Sequence, residues 1–493
     1  MPFETIQKPP VASMAVRPNI YDYEAQRASF SWDELAKELD GLPGPSTGSG
    51  RAGLNLAYEA IDRHLKTSRR TKPAILWEGK GGERETYTFE DMAKLSNKWR
   101  NALASLGVKK GDRVFVFLDR IPELYAAVFG TLKAGCVIGP LFSAFGPDAV
   151  KDRLENSGAV VLLTSPDLWQ KIASIREELP ALKHVVHVQH NTRIAAAEGI
   201  LSWNDLMDAA SDEQNIEQTG LEDPAIMHYT SGTTGKPKGA VHVHQAVWGH
   251  YATGKYVLDL HDEDIYWCTA DPGWVTGTSY GMFAPFTNGV TQLIYEGGFS
   301  ASHWYELIQR YKVSVWYTAP TAIRLLMRAG EEVARRFDLS SLRYTMSVGE
   351  PLNPEAVVWG ERAIGLAFHD NWWQTETGSI MIANFPWMPI KPGSMGRPML
   401  GIYPGVVDDN GNECAPGVEG DLAVRPGWPS MFRTYWHDEE RYNSRFRNGW
   451  YITGDRAKTD FDGYFWFIGR ADDVINTAGH LVGPFEVESA LIE

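Results

Sequence analysis

Cysteine is almost missing from this chain. Cys136, Cys268 and Cys414 are the only three among 493 residues, and they lie far apart. No pair has the spacing of a zinc or redox motif, which fits a soluble, reducing, cytoplasmic setting. Long apolar runs are missing too. None approaches the ~18 residues that a membrane-spanning helix requires, so no membrane partner is expected. The N-terminus, Met1 to Lys8, lacks the charged-then-apolar profile of a secretory signal. Basic excess is the third absence. Lys and Arg total 47 against 62 Asp and Glu, a formal charge of −15. Nucleic-acid binders usually carry a basic footprint, so nucleic acid is not expected as a partner.

What is present is length and aromatic mass. The chain can form roughly three core-bearing units. Its 18 tryptophans suit deep pockets, although most should simply fill cores. The densest local chemistry is Tyr229-Thr-Ser-Gly-Thr-Thr-Gly-Lys-Pro-Lys-Gly239. Thr230, Ser231, Thr233 and Thr234 supply hydroxyls, Gly232, Gly235 and Gly239 supply conformational freedom, and Lys236 and Lys238 supply charge. Glycines let a backbone curl around a ligand with its N–H groups inward, and these donors suit phosphate oxygens. A solvated Gly/Ser/Thr turn is the ordinary alternative. A Walker A element is excluded, because that motif needs G-x-x-x-x-G-K-[ST] and Lys236 is followed by Pro237. If the ligand is a triphosphate, local cations and a metal ion must overcome the overall negative field.

Residues 41–50 read as a Gly/Pro/Ser loop, followed by an amphipathic helix over Asn55–Lys66. From about Ala74 to Thr164 strands and helices alternate. Val114–Leu118 and Val160–Thr164 read as buried strands, and Glu123–Lys133 and Asp148–Asn156 as helices. Val313–Tyr317 and Tyr344–Val348 continue the strands, which implies stacked α/β layers with largely parallel sheets. From about Gly393 frequent Gly, Pro, Asn and Asp punctuate short β runs, as in a small β-barrel-like subdomain. The expected division is 1–471 as the large N-terminal unit, with its β-rich part at 393–471, and 472–493 as a hinge and the start of another domain. Leu491-Ile-Glu493 falls inside a helical pattern, so the polypeptide is expected to be truncated.

Asn371-Trp-Trp-Gln-Thr-Glu-Thr-Gly378 is the second informative stretch. A Glu in a polar turn is usually just solvated. Glu376, however, sits among hydroxyls, a carboxamide and tandem tryptophans, a mixture suited to orienting a nucleotide beside a cation. Mg²⁺ needs only one or two carboxylates when phosphate supplies the other oxygens. Trp450-Tyr-Ile-Thr-Gly-Asp455 places a carboxylate at a turn, where it could accept from both hydroxyls of a ribose. His242 and His244 alternate on a strand and share a face, which could begin a zinc site, but no third ligand is evident.

These stretches, in this order, resemble the acyl-adenylate-forming ligases, and the tandem Trp372-Trp373 resembles the acetyl-coenzyme A synthetases among them. The resemblance implies a large α/β adenylate-forming domain that uses ATP, Mg²⁺, acetate and coenzyme A. It implies that the Thr230–Lys236 loop holds the β- and γ-phosphates, with Thr230, Lys236 and Glu376 as the catalytic set and Glu376 on Mg²⁺. Gln374 and Thr375 would line the α-phosphate and adenine end beside Asn371 and Trp372. Gly349, Glu350 and Pro351 would flank the adenine, and Asp455 and Arg470 would hold the ribose. Trp274, Val275, Thr276, Val348 and Trp373 would wall the acyl pocket, with Trp373 limiting the acid's length. Arg153 would meet coenzyme A and Asp472 would be the hinge. The family's C-terminal domain, with its adenylation-promoting lysine, is expected to lie beyond Glu493, so adenylation by this length of chain is expected to be impaired. Leu481 stands where these synthetases usually place a phosphate-binding arginine, with His480 beside it. A propionate or other short-chain ligase and a non-catalytic AMP or acyl-AMP binder remain as alternatives.

Overall fold

The chain alternates short buried strands with helices until about residue 370 and then turns almost wholly to β-structure. This is seen in a computed structural model that describes residues 3–44, 51–230, 237–471, 475–477 and 480–482. Three large sheets account for most strands.

The first sheet has eight strands in the order Thr434–Tyr435, Lys238–Val243, Pro224–Thr230, Val137–Leu141, Arg113–Phe117, Val161–Thr164, His184–His187 and Ile200–Ser202. From Pro224–Thr230 to Ile200–Ser202 the pairings are parallel, and the two at the other edge are antiparallel. The second sheet runs Tyr344–Ser347, Val315–Thr318, Ile265–Cys268, Thr291–Tyr295, Pro73–Glu78 and Arg84–Thr88, parallel except for the last pair. Parallel strands need crossover connections, and helices supply most of them. Helix Phe89–Ser105 starts on a capping box in which the Thr88 hydroxyl accepts from the Asp91 N–H and the Asp91 carboxylate accepts from the Thr88 N–H. Helix Pro122–Lys133 starts on a proline, whose missing N–H has no intrahelical role there.

The third sheet is antiparallel and is drawn from residues 371–470. Its order is Asn371–Trp372, Ile382–Ala383, Ser394–Pro398, Phe465–Arg470, Trp450–Thr459, Gly420–Val424 and Pro404–Val407, with Phe446–Arg447 also pairing to Trp450–Thr459. It packs with aromatic and Met side chains onto the second sheet's Tyr317, Tyr344 and Met346 in one continuous core.

The predicted helices 123–133 and 148–156 and the predicted strands form within a residue or two of their expected bounds. Asn55–Lys66 differs. A helix spans Leu56–Ala60, the chain breaks at Ile61 (φ −126°, ψ −61°), and a 3₁₀ turn spans Asp62–Lys66. The reason is burial on every side. All of Leu56–Ala60 is buried, including Glu59, whose carboxylate accepts from the Asp40 and Gly41 N–H groups and faces Arg63. An amphipathic period cannot register a helix with no wet face. Trp77, Trp99, Trp267, Trp316 and Trp450 are fully buried and pack cores, as expected of most tryptophans here.

Candidate active site

The three sheets meet around one cavity of about 960 Å³. Two neighbouring parallel strands, Val315–Thr318 and Tyr344–Ser347, open at their carboxyl ends, the usual place for a ligand crevice in α/β sheets. Val348, Gly349, Glu350 and Pro351 follow directly and line the cavity. Gly349 turns here at φ +98°, a backbone state that costs other residues strain. Glu350 is held by Arg324 at 2.5 Å and by the Thr321 hydroxyl at 2.9 Å.

The facing wall is the strand Asn371–Trp372 and the turn after it. Asn371 donates to the Ser347 carbonyl at 2.5 Å and accepts from the Tyr317 hydroxyl at 3.1 Å. Trp372 donates its indole N–H to Asp455 at 2.9 Å, and Gln374 donates to the same oxygen at 2.9 Å. The Arg470 guanidinium lies 3.4 Å from the other Asp455 oxygen. Burial pushes the Asp455 carboxyl above the usual range, against the opposing pull of Trp372, Arg470 and Gln374. Trp373 lines the cavity and packs edge-on to Tyr280, with ring centres 5.0 Å apart. Val275 and Thr276 line it too.

Glu376 is 8 % exposed and accepts at Oε1 from the Tyr435 hydroxyl at 2.7 Å. Its turn is fixed from behind. His250 donates from Nε2 to the Gly378 carbonyl at 3.0 Å and His242 from Nδ1 to the Ser430 carbonyl at 3.0 Å. Gly378 sits at φ +69°, and a Cβ there would lie 2.2 Å from the Ser430 carbonyl oxygen. His242 and His244 are fully buried, and among the described residues no group of three His, Cys, Asp or Glu could hold a metal.

The structure therefore brings together on one cavity Thr230, Val275, Thr276, Val348, Gly349, Glu350 and Pro351 with Asn371, Trp372, Trp373, Gln374, Thr375, Glu376, Asp455 and Arg470. Two expected residues lie elsewhere. Trp274 is 48 % exposed and packs on Phe142 and Phe145. Arg153 stacks its guanidinium 4.2 Å over the same Phe145. Ser231, Gly232, Thr233, Thr234, Gly235, Lys236 and Asp472 lie outside the described residues, as does the side chain of Leu481.

Lining residues that the motifs do not flag include Arg324, Asp370 and Arg445, and Lys238, from the end of the glycine-rich stretch, lines the cavity too. Burial pushes the Asp370 carboxyl up to about 7 although it accepts from the Leu352 and Asn371 N–H groups. The Lys238 ammonium is lowered by burial and then by Arg441 and Arg445. Arg445 carries no local signal in the sequence, because it lies on a loop remote from the phosphate-loop pattern.

A model of the AMP-binding enzyme family matches residues 61–436, about three quarters of the chain. The chain belongs to the AMP-binding enzyme family. Similar members of this family include the acetyl-coenzyme A synthetase of Bacillus subtilis (strain 168), 50 % identical over 96 % of this chain and 81 % of that protein. The acetyl-coenzyme A synthetase of Pyrobaculum aerophilum is 41 % identical over 89 % of this chain and 71 % of its own length. Among solved structures, a Brucella canis acyl-CoA synthetase matches with a TM-score of 0.84 and 34 % identity, covering 95 % of this chain and 83 % of that one. The fold is thus the α/β architecture of these AMP-binding enzymes. Among the described residues no helix is long and apolar enough to cross a membrane.

Proposed function

We propose that the chain is an AMP-forming acetate–coenzyme A ligase. The observation that supports this reading is that the 349–351 turn, Asn371–Glu376 and Asp455 share one cavity with Val275, Thr276, Val348 and Trp373. Adenine would lie between the 349–351 turn and Asn371–Trp372, with its ribose hydroxyls on the Asp455 carboxylate and its α-phosphate toward Thr375 and Thr230. Acetate would enter against Val275, Thr276, Val348 and Trp373. One acetate oxygen attacks the α-phosphorus, the bond to the β-phosphate bridging oxygen breaks, and acetyl-AMP and pyrophosphate form. The coenzyme A thiol then loses its proton and attacks the acetyl carbon, and AMP leaves with the electron pair. The surface joining Arg153, Phe145 and Trp274 is where we place the coenzyme A nucleotide.

Rate enhancement in such a site comes mainly from holding the two reactants in line and from fixed dipoles that need not reorganise. Trp372 and Gln374 hold the Asp455 carboxylate in position before ligand arrives, and Tyr435 does the same for Glu376. For Mg²⁺ the residues fit a cation delivered with the nucleotide. Glu376 offers one carboxylate, its Oε1 oriented by Tyr435, and no preformed cluster of three ligands exists among the described residues. Glu376 would be the residue to hold Mg²⁺, whose chemistry here would be neutralisation of triphosphate charge.

Acetate-dependent ATP–pyrophosphate exchange, paired with calorimetric titration of AMP and an alkyl-AMP ester, tests the reading. Exchange with acetate supports a ligase. AMP binding without exchange supports the alternative of a nucleotide-binding protein, and the absence of any nucleotide binding defeats both. Among acids, a preference for propionate over acetate would assign a slightly longer substrate.

A further inference from the structure

Four cationic side chains line the cavity: Lys238, Arg324, Arg445 and Arg470. Two are committed to carboxylates, Arg324 to Glu350 at 2.5 Å and Arg470 to Asp455 at 3.4 Å. Lys238 and Arg445 have no carboxylate within ion-pair distance among the described residues. Lys238 instead lies 5.6 Å from the centre of the Tyr435 ring.

Arg445 is kept from neutralisation by a specific arrangement. Its guanidinium meets the Tyr435 hydroxyl, and that hydroxyl donates its proton to Glu376 Oε1 at 2.7 Å. A neutral phenol therefore stands between the cation and the nearest cavity carboxylate. Burial and Glu376 both raise the Tyr435 pKa, so the phenol stays a neutral donor. The backbone holds the same loop, with the Ile452 N–H donating to the Arg445 carbonyl at 2.8 Å. Gly454, at φ +83°, leaves the guanidinium room, since a Cβ there would lie 3.3 Å from Arg445 Nη1. Nearby, Arg441 lies 3.9 Å from Asp438.

Among the described lining residues, the cations Lys238 and Arg445 face one carboxylate here, Glu376, with no ion pair formed to it. In a protein of net charge −15, this is a local positive pole facing a partly dehydrated space. Planar guanidinium matches phosphate oxygens in geometry as well as charge. Tyr435, Tyr451 and Glu376 keep the half-buried Arg445 guanidinium charged, so it can meet an anion in the cavity.

We infer that Arg445 binds the leaving pyrophosphate portion of the triphosphate, its β- and γ-phosphates, while Tyr435 holds Arg445 and Glu376 apart. The inference rests on the ATP reading above and names a residue for that site. AMP lacks those phosphates, so Arg445 should distinguish the two nucleotides.

The test is calorimetric titration of ATP and of AMP into the full chain, unmodified and as Arg445→Gln, with thermal unfolding as a check on folding. ATP affinity should fall roughly 10- to 100-fold, the range for a lost charge-assisted hydrogen bond, while AMP affinity stays within about twofold. Inorganic pyrophosphate should compete with ATP less well on the variant than on the parent. Arg445→Met, which keeps the aliphatic stem, should show the same selective loss and decides the matter if Arg445→Gln unfolds. Unchanged ATP affinity, or equal losses for ATP and AMP in a folded variant, overturns the assignment. A parent protein that binds neither nucleotide overturns the ATP reading itself, whereas normal AMP and ATP binding by Arg445→Gln sinks only the role of Arg445.

Discussion

Acid should destabilise this protein through its buried histidines, and His244 isolates the effect. His242, His244 and His250 are between 0 and 2 % exposed. Burial pushes their pKa values down to about 4, 3 and 3. For His244 the geometry adds a reason. Its Nδ1 accepts the Leu56 N–H at 3.1 Å, an otherwise unpaired donor at the start of helix Leu56–Ala60. Protonating Nδ1 would set two donors against each other. Unfolded histidine titrates near 6.5, so between pH 6.5 and the folded value the unfolded chain binds the extra proton. Stability from these groups is therefore complete above pH 6.5 and lost as pH falls toward 4 or 3.

At one pKa unit per about 1.4 kcal/mol, taking each site from pH 7.5 to 5 removes about 2 kcal/mol, or about 6 kcal/mol for the three. Carboxylates in ion pairs act in the same direction, so the pH dependence of the parent alone cannot identify the histidines. Asparagine at position 244 can still accept from Leu56 but does not titrate. His244→Asn should be less stable than the parent at pH 7.5, by about 1–2 kcal/mol for the space it leaves. It should lose about 2 kcal/mol less between pH 7.5 and 5, so the two stabilities converge in acid. Urea unfolding followed by fluorescence at both pH values measures this. If the variant loses as much stability as its parent over that interval, His244 is not a neutral buried group and the reasoning fails.

The remaining expectations are simpler. Trp373→Gly removes the indole that packs on Tyr280 and should extend acid use in ATP–pyrophosphate exchange toward four- and five-carbon acids, each added methylene being worth about 1–3 kcal/mol of discrimination; an unchanged chain-length profile removes Trp373 as the gate. Gly378→Ala puts a methyl 2.2 Å from the Ser430 carbonyl in a left-handed turn, so it should cost about 2–3 kcal/mol of stability and weaken the hold on Glu376, read as a lower unfolding midpoint and reduced exchange.

Much of this site was legible from contiguous motifs, because a ligand-facing turn concentrates its chemistry within a few residues. The 349–351 turn, flagged only by the family resemblance, and the 371–376 wall and Asp455, flagged also by their residue types, all line one cavity. Other features were illegible for definite reasons. Trp274 and Arg153 look like unrelated residues in the sequence, yet both rest on Phe145. The run Asn55–Lys66 has a helical period, but burial on all sides breaks it at Ile61. The parallel and antiparallel sheets were expected from strand spacing and turn residues, whereas their meeting around a single cavity depended on packing between distant segments.

By itself the sequence determined which chemistry is available: a glycine-rich hydroxyl and lysine loop, a lone glutamate beside tandem tryptophans, and a carboxylate at a β turn, in an order that implied an adenylating fold. Residue identity and short spacing suffice for that, since donors, acceptors and backbone freedom are local properties. Only the tertiary structure decided which charges are already paired. Asp455 is shared among Trp372, Gln374 and Arg470, Glu350 is taken by Arg324, and Glu376 accepts from Tyr435. Pairing depends on distance and on exclusion of water, and both arise only when segments up to 83 residues apart close on one another.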